Sequence, residues 1–243
     1  MNQGLEIHHD GDLPASTGLG SSSAFTVALL NGLHALCQKM PTKKQISLEA
    51  IEIERKILKE NGGDQDQIAI AYGGFNRITF NGEFAVQPII LNKSRLKEFK
   101  SHLMLYFTGL SRLSGEIAKK QVANIQNRKK ELLRMSEMVD ESITILTAGD
   151  ISQFGELLDE TWRIKRTLSD AITNQHIDDI YKAAMDSGAL GGKLLGAGGG
   201  GFMLLFVRPE NQPRVKEKLK DLLLVPFEFE NLGAQIIFYD REA

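Results

Sequence analysis

The chain has 243 residues, of which 42% are apolar and 25% are charged. This length is enough for one large domain or two ordinary ones, and the composition is that of a soluble globular protein. Because 29 basic residues are balanced by 31 acidic ones, the charge excludes a strongly basic protein that binds nucleic acid or membrane surfaces. The apolar runs are too short for a membrane span, the polar N-terminus does not resemble a secretory signal, and the single Cys37 excludes an internal disulfide. We therefore expect a soluble, cytoplasmic protein.

The N-terminal part of the chain combines helical periodicity with one clear hairpin signal. A short strand is predicted at about Leu5–His9, and a glycine- and serine-rich loop then leads into an apolar helix that ends before Pro41. A second helix is predicted at Ser47–Glu60, because isoleucine and leucine recur along one side of it. Further on, Asn81-Gly82 favours a two-residue hairpin turn. This turn joins predicted strands at Phe75–Phe80 and Phe84–Ile90.

The rest of the chain mixes strands and helices without a regular alternation. The charged segment Asn92–Lys100 is a candidate connector, and it divides the chain into predicted domains at 1–97 and 98–243. Because the elements do not alternate as in a βαβ protein, we expect the α+β class. The elements predicted beyond the connector are strands at Leu103–Thr108, Phe202–Val207 and Gln235–Tyr239, and helices at Ser114–Ala148, Ile151–Ala171, Ile177–Ser187 and Gln212–Leu223.

The loop at Pro14–Ser23 has the features of an anion-binding site. The helix that follows begins with backbone N–H groups that lack intrahelical partners, and the positive end of its dipole lies there. Gly18 and Gly20 allow a phosphate chain to approach the backbone closely, and the serines add hydroxyl groups. The same residues would also make an ordinary turn and helix cap. The loop lacks the Gly-Lys-Ser/Thr ending of a Walker A motif and the third glycine of a dinucleotide fingerprint.

A second glycine-rich segment spans Gly191–Gly201. It contains G-x-G-x-x-G at Gly196, Gly198 and Gly201, but the predicted strand follows the glycines instead of preceding them. This order excludes the dinucleotide-binding arrangement. Four consecutive glycines at 198–201 instead indicate that the backbone passes very close to another chain segment or to a ligand.

Two aspartates follow the glycines that end the second predicted helix. A half-buried carboxylate at Asp64 or Asp66 can act as a base, hold a metal or cap the next helix. Glu54, in the preceding helix, is by itself a solvated charge beside Arg55 and Lys56. The residue types alone leave these alternatives open.

Taken together, these segments resemble a known family. The loop Pro14–Ser23, Glu54, the pair Asp66-Gln67 and the segment Lys193–Gly201 occur in the order and at roughly the spacing found in the GHMP kinases. The loop matches the P-x3-G-L-G-S-S motif of that superfamily. Within it, the chain resembles the branch of D-glycero-D-manno-heptose 7-phosphate kinases. The segments that carry this finer resemblance are Asp64–Gln67, Ala71–Asn76, Phe107–Arg112 and Gly191–Ala197.

The resemblance implies a two-domain fold, with an N-terminal domain like domain 2 of ribosomal protein S5 and a ferredoxin-like C-terminal domain. It implies transfer of the γ-phosphoryl group of ATP, with Mg²⁺, to the anomeric hydroxyl of the heptose 7-phosphate in GDP-heptose synthesis. Asp66 matches the aspartate that faces the sugar hydroxyl, and Ser22 and Glu54 match the Mg²⁺ ligands. The residues matched to ATP binding are Pro14, Gly18, Leu19, Gly20, Ser21, Ser22 and Ser23. Those assigned to the sugar phosphate are Gly63, Asp64, Gln67, Arg112, Lys193, Gly198 and Gly199.

A sugar that already carries a phosphate requires a basic contact for that dianion, and the planar guanidinium of an arginine suits it. The candidates for this contact are Arg112, Lys165, Arg166 and Lys193.

Three other functions remain as alternatives to a heptose 7-phosphate kinase. They are another GHMP sugar kinase of the fucose or galactose type, an inactive nucleotide-binding remnant, and a helical interaction protein built on Ser114–Ala148.

The start of the chain departs from the pattern of this family. Members normally begin with a further N-terminal portion, so we expect this chain to start inside the N-terminal domain. The strand at Leu5–His9 would then lack neighbours, and the first helix would expose apolar side chains. Such a surface favours self-association, so a homodimer or a separate N-terminal half is an expected partner.

Overall fold

The computed structural model describes residues 4–12, 17–109 and 114–240. Its N-terminal part begins with three helices that pack on one another around a small apolar cluster. The second helix continues directly into a wider, π-helical turn. These elements are α1 (Ser21–Leu36), α2 (Lys43–Ile51), the π-helical turn Glu52–Ile57 and α3 (Gln65–Tyr72).

The start of α2 is fixed by a capping box. The Thr42 side chain accepts a hydrogen bond from the backbone N–H of Gln45, and the Gln45 side chain accepts one from the backbone N–H of Thr42. These bonds satisfy donors that have no partner within the helix. The helix therefore begins at Lys43, earlier than the predicted start at Ser47.

An antiparallel hairpin follows α3. Its strands, β1 (Asn76–Asn81) and β2 (Glu83–Pro88), pair with Phe80 opposite Phe84. Gly82 in the turn has a φ of 81°, a left-handed conformation that glycine adopts without steric cost. The predicted hairpin is confirmed.

The described residues of the C-terminal part contain four further strands and six further helices. Short 3₁₀ turns at Ile125–Arg128 and Pro209–Asn211 precede two of the helices. The strands are β3 (Leu103–Phe107), β4 (Ala189–Leu194), β5 (Phe202–Val207) and β6 (Leu223–Leu224). The helices are α4 (Lys93–Ser101), α5 (Ser114–Asn124), α6 (Lys129–Ala148), α7 (Ser152–Thr167), α8 (Gln175–Asp186) and α9 (Gln212–Lys218).

The four strands form one antiparallel sheet in the order β4-β5-β3-β6. Helix α7 packs on β4, where Gly191 lies so close to the carbonyl oxygen of Gly155 that a side chain would collide. Trp162 on α7 and Tyr106 on β3 are buried in the main apolar cluster. Sheet and helices together confirm the α+β class. None of the helices within the described residues is long and apolar enough to cross a lipid bilayer.

Two of the predicted elements in this part are corrected, and strand β4 is an element that the sequence does not predict. The segment Asn92–Lys100 is a helix and not a connector, because the Asn92 side chain caps α4 and Phe99 is buried in an apolar cluster. The predicted helix Ser114–Ala148 is interrupted by a 3₁₀ turn. Strand β4 is absent from the predicted elements because consecutive glycines disfavour strands, whereas here they permit close packing against α7. The division of the chain at residue 97 falls within α4 and stays a prediction.

The predicted strands Leu5–His9 and Gln235–Tyr239 are wrong. Within the described residues, neither segment pairs with a strand, and an unpaired strand leaves its backbone groups without partners. Both segments border α1 and with it line an open apolar cavity of about 400 Å³. The exposed Phe25 and Leu36 on α1 agree with the expectation of an uncovered apolar face.

Candidate active site

The glycine-serine loop folds as a tight turn that leads directly into α1. We call residues 17–20 the first glycine loop. Gly18 and Gly20 have φ values of 80° and 74°, in the left-handed region that favours glycine. Gly20 is the N-cap of α1, so the first helical N–H groups, beginning at Ser21, lie at the positive end of the helix dipole. Pro14, which the resemblance assigns to ATP binding, lies outside the described residues.

Asp66, in the first turn of α3, lies against the first glycine loop. A Cβ atom placed on Gly20 would be 3.6 Å from the carboxyl carbon of Asp66. Burial raises the pKa of Asp66, and the charge of Glu54 raises it further, while Arg55 and a hydrogen bond with Gln65 oppose the shift. A carboxylate with a raised pKa is a stronger base than an exposed aspartate. Asp66 therefore combines proton-accepting chemistry with a position beside the loop.

Glu54 is a buried carboxylate held by two hydrogen-bond donors. Its side chain is only 2% exposed. Ser23 Oγ donates to Glu54 Oε2 over 3.0 Å, and Gln67 Nε2 donates to the same oxygen. Glu54 Oε1 and Gln67 Oε1 are both buried without a hydrogen-bond partner. Because buried oxygens without partners are costly, this pair fits a cation that takes oxygen ligands.

This arrangement bears on two sequence-based assignments, which stay predictions. Ser23 contacts Glu54, whereas the predicted ligand Ser22 is exposed on the first turn of α1. Successive residues of a helix point in different directions, so a motif match does not settle which serine faces inward. Gln67 is fully buried and orients Glu54, so the predicted contact between Gln67 and the substrate does not fit its position.

Glu54 lies in the π-helical turn that extends α2. In this turn the N–H of Leu58 bonds to the carbonyl oxygen of Ile53, five residues earlier, over 2.8 Å. Such turns are rare and occur frequently at functional sites. Because Glu54 by itself looks like a solvated charge, only its spacing from Asp66 in the family pattern could identify it from the sequence.

Arg55 fixes the segment that precedes Asp66. Its Nε atom lies 3.1 Å from Asp64 Oδ1, and its Nη atoms donate to the carbonyl oxygens of Glu60 and Gly63. The two predicted substrate residues, Gly63 and Asp64, are thereby held at the accessible entrance to α3. Sequence reasoning missed this role of Arg55, and its only signal was a position next to Glu54.

The second glycine loop, residues 195–201, packs against the first. A Cβ atom on Gly196 would lie 2.6 Å from the Cα atom of Gly18, and one on Gly201 would collide with the carbonyl oxygen of Thr17. The glycine run is thus explained by close passage of another chain segment, one of its two predicted causes. A contact between this loop and a ligand stays a prediction.

The backbone polar groups in the buried part of the second glycine loop are hydrogen-bonded to other residues of the protein. The N–H of Gly199 donates to the carbonyl oxygen of Ile172 over 2.8 Å, and the carbonyl oxygen of Gly199 accepts from Asn174 Nδ2 over 3.1 Å. Gly198 is buried against the backbone of Ile172. In this structure the backbone N–H and carbonyl groups of Gly199 are thus bound within the protein, and the substrate contacts at Gly198 and Gly199 stay predictions.

The basic candidates for a sugar phosphate have different surroundings. Lys193 on β4 is half-buried, and burial lowers its pKa. Lys165 Nζ donates to backbone carbonyl oxygens, and Arg166 Nη2 lies 2.9 Å from Asp178 Oδ2. Arg112 lies outside the described residues. Of the three described side chains, Lys193 is the one without a hydrogen-bond or ion-pair partner within the described part of the chain.

The chain belongs to the GHMP kinases. A model of the GHMP kinases N terminal domain matches residues 1–74, and one of the GHMP kinases C terminal domain matches residues 142–223. The first match contains the first glycine loop, Glu54 and Asp66, and the second contains the second glycine loop. The resemblance is confirmed, and with it the GHMP kinase fold.

Individual relatives extend the similarity over most of the chain. A D-glycero-alpha-D-manno-heptose 7-phosphate kinase from Campylobacter jejuni is 32% identical over 221 residues, which are 89% of this chain and 65% of the relative. A bifunctional fucokinase/GDP-fucose pyrophosphorylase from Arabidopsis thaliana is 26% identical over 90% of this chain and 21% of its own length. The crystal structure of a D-glycero-D-manno-heptose 1-phosphate kinase from Bacteriodes thetaiotaomicron superposes with a TM-score of 0.74 and 27% identity, covering 94% of this chain and 66% of that one. The chain thus spans less than two thirds of the length of these relatives.

Proposed function

We propose that the protein is an ATP-dependent kinase that phosphorylates the anomeric hydroxyl of D-glycero-D-manno-heptose 7-phosphate, a step toward GDP-heptose. The observation that carries this proposal is the position of the Asp66 carboxyl group beside the first glycine loop, where a Cβ atom on Gly20 would lie 3.6 Å from its carboxyl carbon. Phosphoryl transfer requires the acceptor hydroxyl and the phosphates of the donor to meet in line. A base beside a phosphate-binding loop is placed to bring the acceptor hydroxyl to the phosphates.

Each part of the site has a role in this reaction. The backbone of Gly18, Leu19 and Gly20 and the N–H groups of Ser21–Ser23 bind the phosphates of ATP. Asp66 orients the sugar hydroxyl and accepts its proton, while the sugar oxygen forms a bond to the γ-phosphorus. The bond between the γ-phosphorus and the β,γ-bridging oxygen breaks, and ADP leaves.

Mg²⁺ fits as the cofactor at the buried group formed by Glu54, Ser23 and Gln67. Glu54 Oε1 is the buried carboxylate oxygen without a partner, and Ser22 lies exposed one position before Ser23. Within the described residues, no group of three or more His, Cys, Asp or Glu could hold a metal. A larger group of ligands is not required, because Mg²⁺ is usually bound by one or two carboxylates together with the phosphates of the substrate. When bound, Mg²⁺ would neutralise charge on the transferring phosphoryl group.

The choice of sugar rests on two observations. The relative that is named for heptose 7-phosphate matches at 32% identity, and Lys193 offers a half-buried ammonium group for the dianion of a phosphorylated sugar. Arg112, Gly63 and Asp64 stay proposed contacts of the same sugar. The alternative is a kinase of the fucose or galactose type, which the 26% identity with a fucokinase favours.

A sugar panel tests the proposal. ADP release from Mg-ATP is measured with heptose 7-phosphate, fucose and galactose at equal concentrations. We expect the highest kcat/KM with heptose 7-phosphate, and Lys193→Met raises the KM for this sugar while Lys182→Met, at an exposed lysine on α8, does not. A higher kcat/KM with either neutral sugar would overturn the proposed substrate.

An inactive nucleotide-binding protein is the second candidate, because the apolar face beside α1 is open. Calorimetric titration with Mg-ATP separates the two, since this candidate binds nucleotide but releases no ADP with any sugar. Sedimentation of the same sample tests the expected homodimer or association with a separate N-terminal half. A cytoplasmic location remains part of the proposal.

A further inference from the structure

Lys165 is a buried lysine whose ammonium group holds the backbone at the start of the second glycine loop. Lys165 lies on α7 and is only 8% exposed. Lys165 Nζ donates to the carbonyl oxygen of Leu194 over 3.0 Å and to that of Gly196 over 2.6 Å. Leu194 is the last residue of β4 and Gly196 lies in the second glycine loop, so one side chain holds the end of the strand and the start of the loop together.

Lys165 has no carboxylate partner within the described residues. The face of the Trp162 ring lies 6.0 Å from its Nζ atom, and Lys193 on β4 is the titratable group that acts on it electrostatically. Burial, and to a lesser extent Lys193, lowers the pKa of Lys165 to about 7. On the neighbouring helices, three carboxylates are ion-paired with arginines: Asp159 with Arg163, Asp178 with Arg166, and Glu160 with Arg134.

The carbonyl group that Lys165 holds belongs to the residue that touches the first glycine loop. Gly196 approaches Gly18 so closely that a Cβ atom on Gly196 would lie 2.6 Å from the Cα atom and 2.9 Å from the carbonyl oxygen of Gly18. Both glycines have positive φ values. Displacement of Gly196 would therefore remove the surface against which Gly18 rests.

We propose that Lys165 is a positioning residue that holds Gly196 against Gly18 and thereby fixes the first glycine loop for binding the phosphates of ATP. The consequence for ATP rests on the proposed function, whereas the contact between the two loops does not. Lys165 thus acts through the backbone, and the sugar phosphate contact considered for it from the sequence is not needed. A neutral amine has two N–H groups and the loop offers it two carbonyls, so the contact persists when Lys165 loses its proton.

The contact has a pH dependence whose sign follows from burial. Because burial lowers the pKa of Lys165, any opening that hydrates this side chain favours proton uptake. Opening of the two loops is therefore promoted by protonation and suppressed as the pH rises above about 7. A buried side chain that does not titrate would give no such dependence.

Hydrogen exchange of the unliganded protein tests the inference. After correction for intrinsic exchange rates, we expect the protection of residues 17–20 and 195–201 in the wild type to rise with pH above 7, by at most about tenfold per pH unit. In Lys165→Met the same two segments exchange about tenfold faster near neutral pH, while β5 is unchanged and the pH dependence is lost. Lys182→Met, the exposed lysine on α8, is the matched control and leaves both segments as in the wild type.

The outcomes separate this inference from the proposed function. If the loops of Lys165→Met keep wild-type protection, or if β5 loses protection equally, the positioning role is overturned. If the loops respond as expected but the wild type does not bind Mg-ATP in a calorimetric titration, the positioning role stands and the proposed function fails. With both intact, Lys165→Met weakens Mg-ATP binding and Lys182→Met does not.

Discussion

The two glycine loops meet in one place but are built in opposite ways. In the first, left-handed glycines lead into α1, so that helical N–H groups are presented at the dipole's positive end. In the second, carbonyl oxygens are bound by side chains from several elements. The donors are Thr108 to Gly201, Gln121 to Ala197, Lys165 to Leu194 and Gly196, and Asn174 to Gly199.

Glycine content alone therefore does not reveal what a loop does. A loop whose backbone N–H groups are left without partners can bind a ligand, whereas a loop whose backbone groups are bonded within the protein is held in place. The first glycine loop is therefore the proposed ligand site, and the second is its support.

The largest effect is expected at Asp66, beside the first loop. Asp66→Asn removes the proton acceptor and keeps the side-chain shape, so we expect kcat to fall by about 10²–10⁴-fold. Mg-ATP affinity should stay within about twofold of the wild type, because in the proposed reaction Asp66 faces the sugar hydroxyl and not the phosphates. Steady-state kinetics and calorimetry measure the two quantities. A variant that retains most of its kcat would remove Asp66 from the chemistry.

The next largest effect is expected at Glu54, behind the first loop. Glu54→Gln keeps a carbonyl oxygen for Ser23 and Gln67 but removes the charge, so the Mg²⁺ concentration for half-maximal activity should rise about 10–100-fold. Glu52→Gln, at an exposed glutamate of the same turn, is the control. Equal Mg²⁺ dependence in the two variants would contradict the placement of the cation.

A smaller effect is expected where the loops touch. Gly196→Ala places a methyl group against Gly18 at a positive φ, so we expect the free energy of unfolding to fall by about 1–3 kcal/mol. The control is Gly32→Ala inside α1, where the methyl group meets open space and should stabilise by about 0.5–1 kcal/mol. Urea denaturation measures both. No loss of stability at Gly196 would show that the loops do not depend on close contact.

The smallest effect is the pH dependence of stability at Asp66. Because the pKa of Asp66 in the folded protein is raised, the ionised carboxylate lowers the free energy of unfolding near neutral pH. Without Mg²⁺ or ATP, Asp66→Asn should therefore be more stable than the wild type at pH 7. The gain should shrink as the pH falls through the raised pKa. A variant that is less stable at pH 7 would contradict the direction of the shift.

The sequence predicts this molecule best where a local signal is strong. Asn81-Gly82 gives the hairpin, and the apolar run after the first glycine loop gives α1. The sequence does not predict an element correctly where that element depends on residues that are distant along the chain. Gly191 supports a strand only because Gly155 of α7 packs against it, and Leu5–His9 forms no strand because none lies beside it within the described residues.

The site shows the same contrast. Motif spacing selects Asp66, Glu54 and both glycine loops as the proposed site, and the two family matches contain these segments. It cannot decide that Ser23 faces Glu54, since that depends on the rotation of α1 against the π-helical turn. Nor can it distinguish a lysine that binds substrate from Lys165, whose partners are backbone carbonyls brought near by the fold.

Phosphorus NMR of one reaction mixture shows whether this protein phosphorylates the anomeric oxygen with Asp66 as the base. The protein is incubated with Mg-ATP and D-glycero-D-manno-heptose 7-phosphate, and Asp66→Asn is run in parallel at equal concentration. We expect a new phosphate resonance on the anomeric oxygen together with ADP for the wild type, and neither for Asp66→Asn. A product of equal yield from both proteins, or a phosphate on another hydroxyl, would contradict the proposed function.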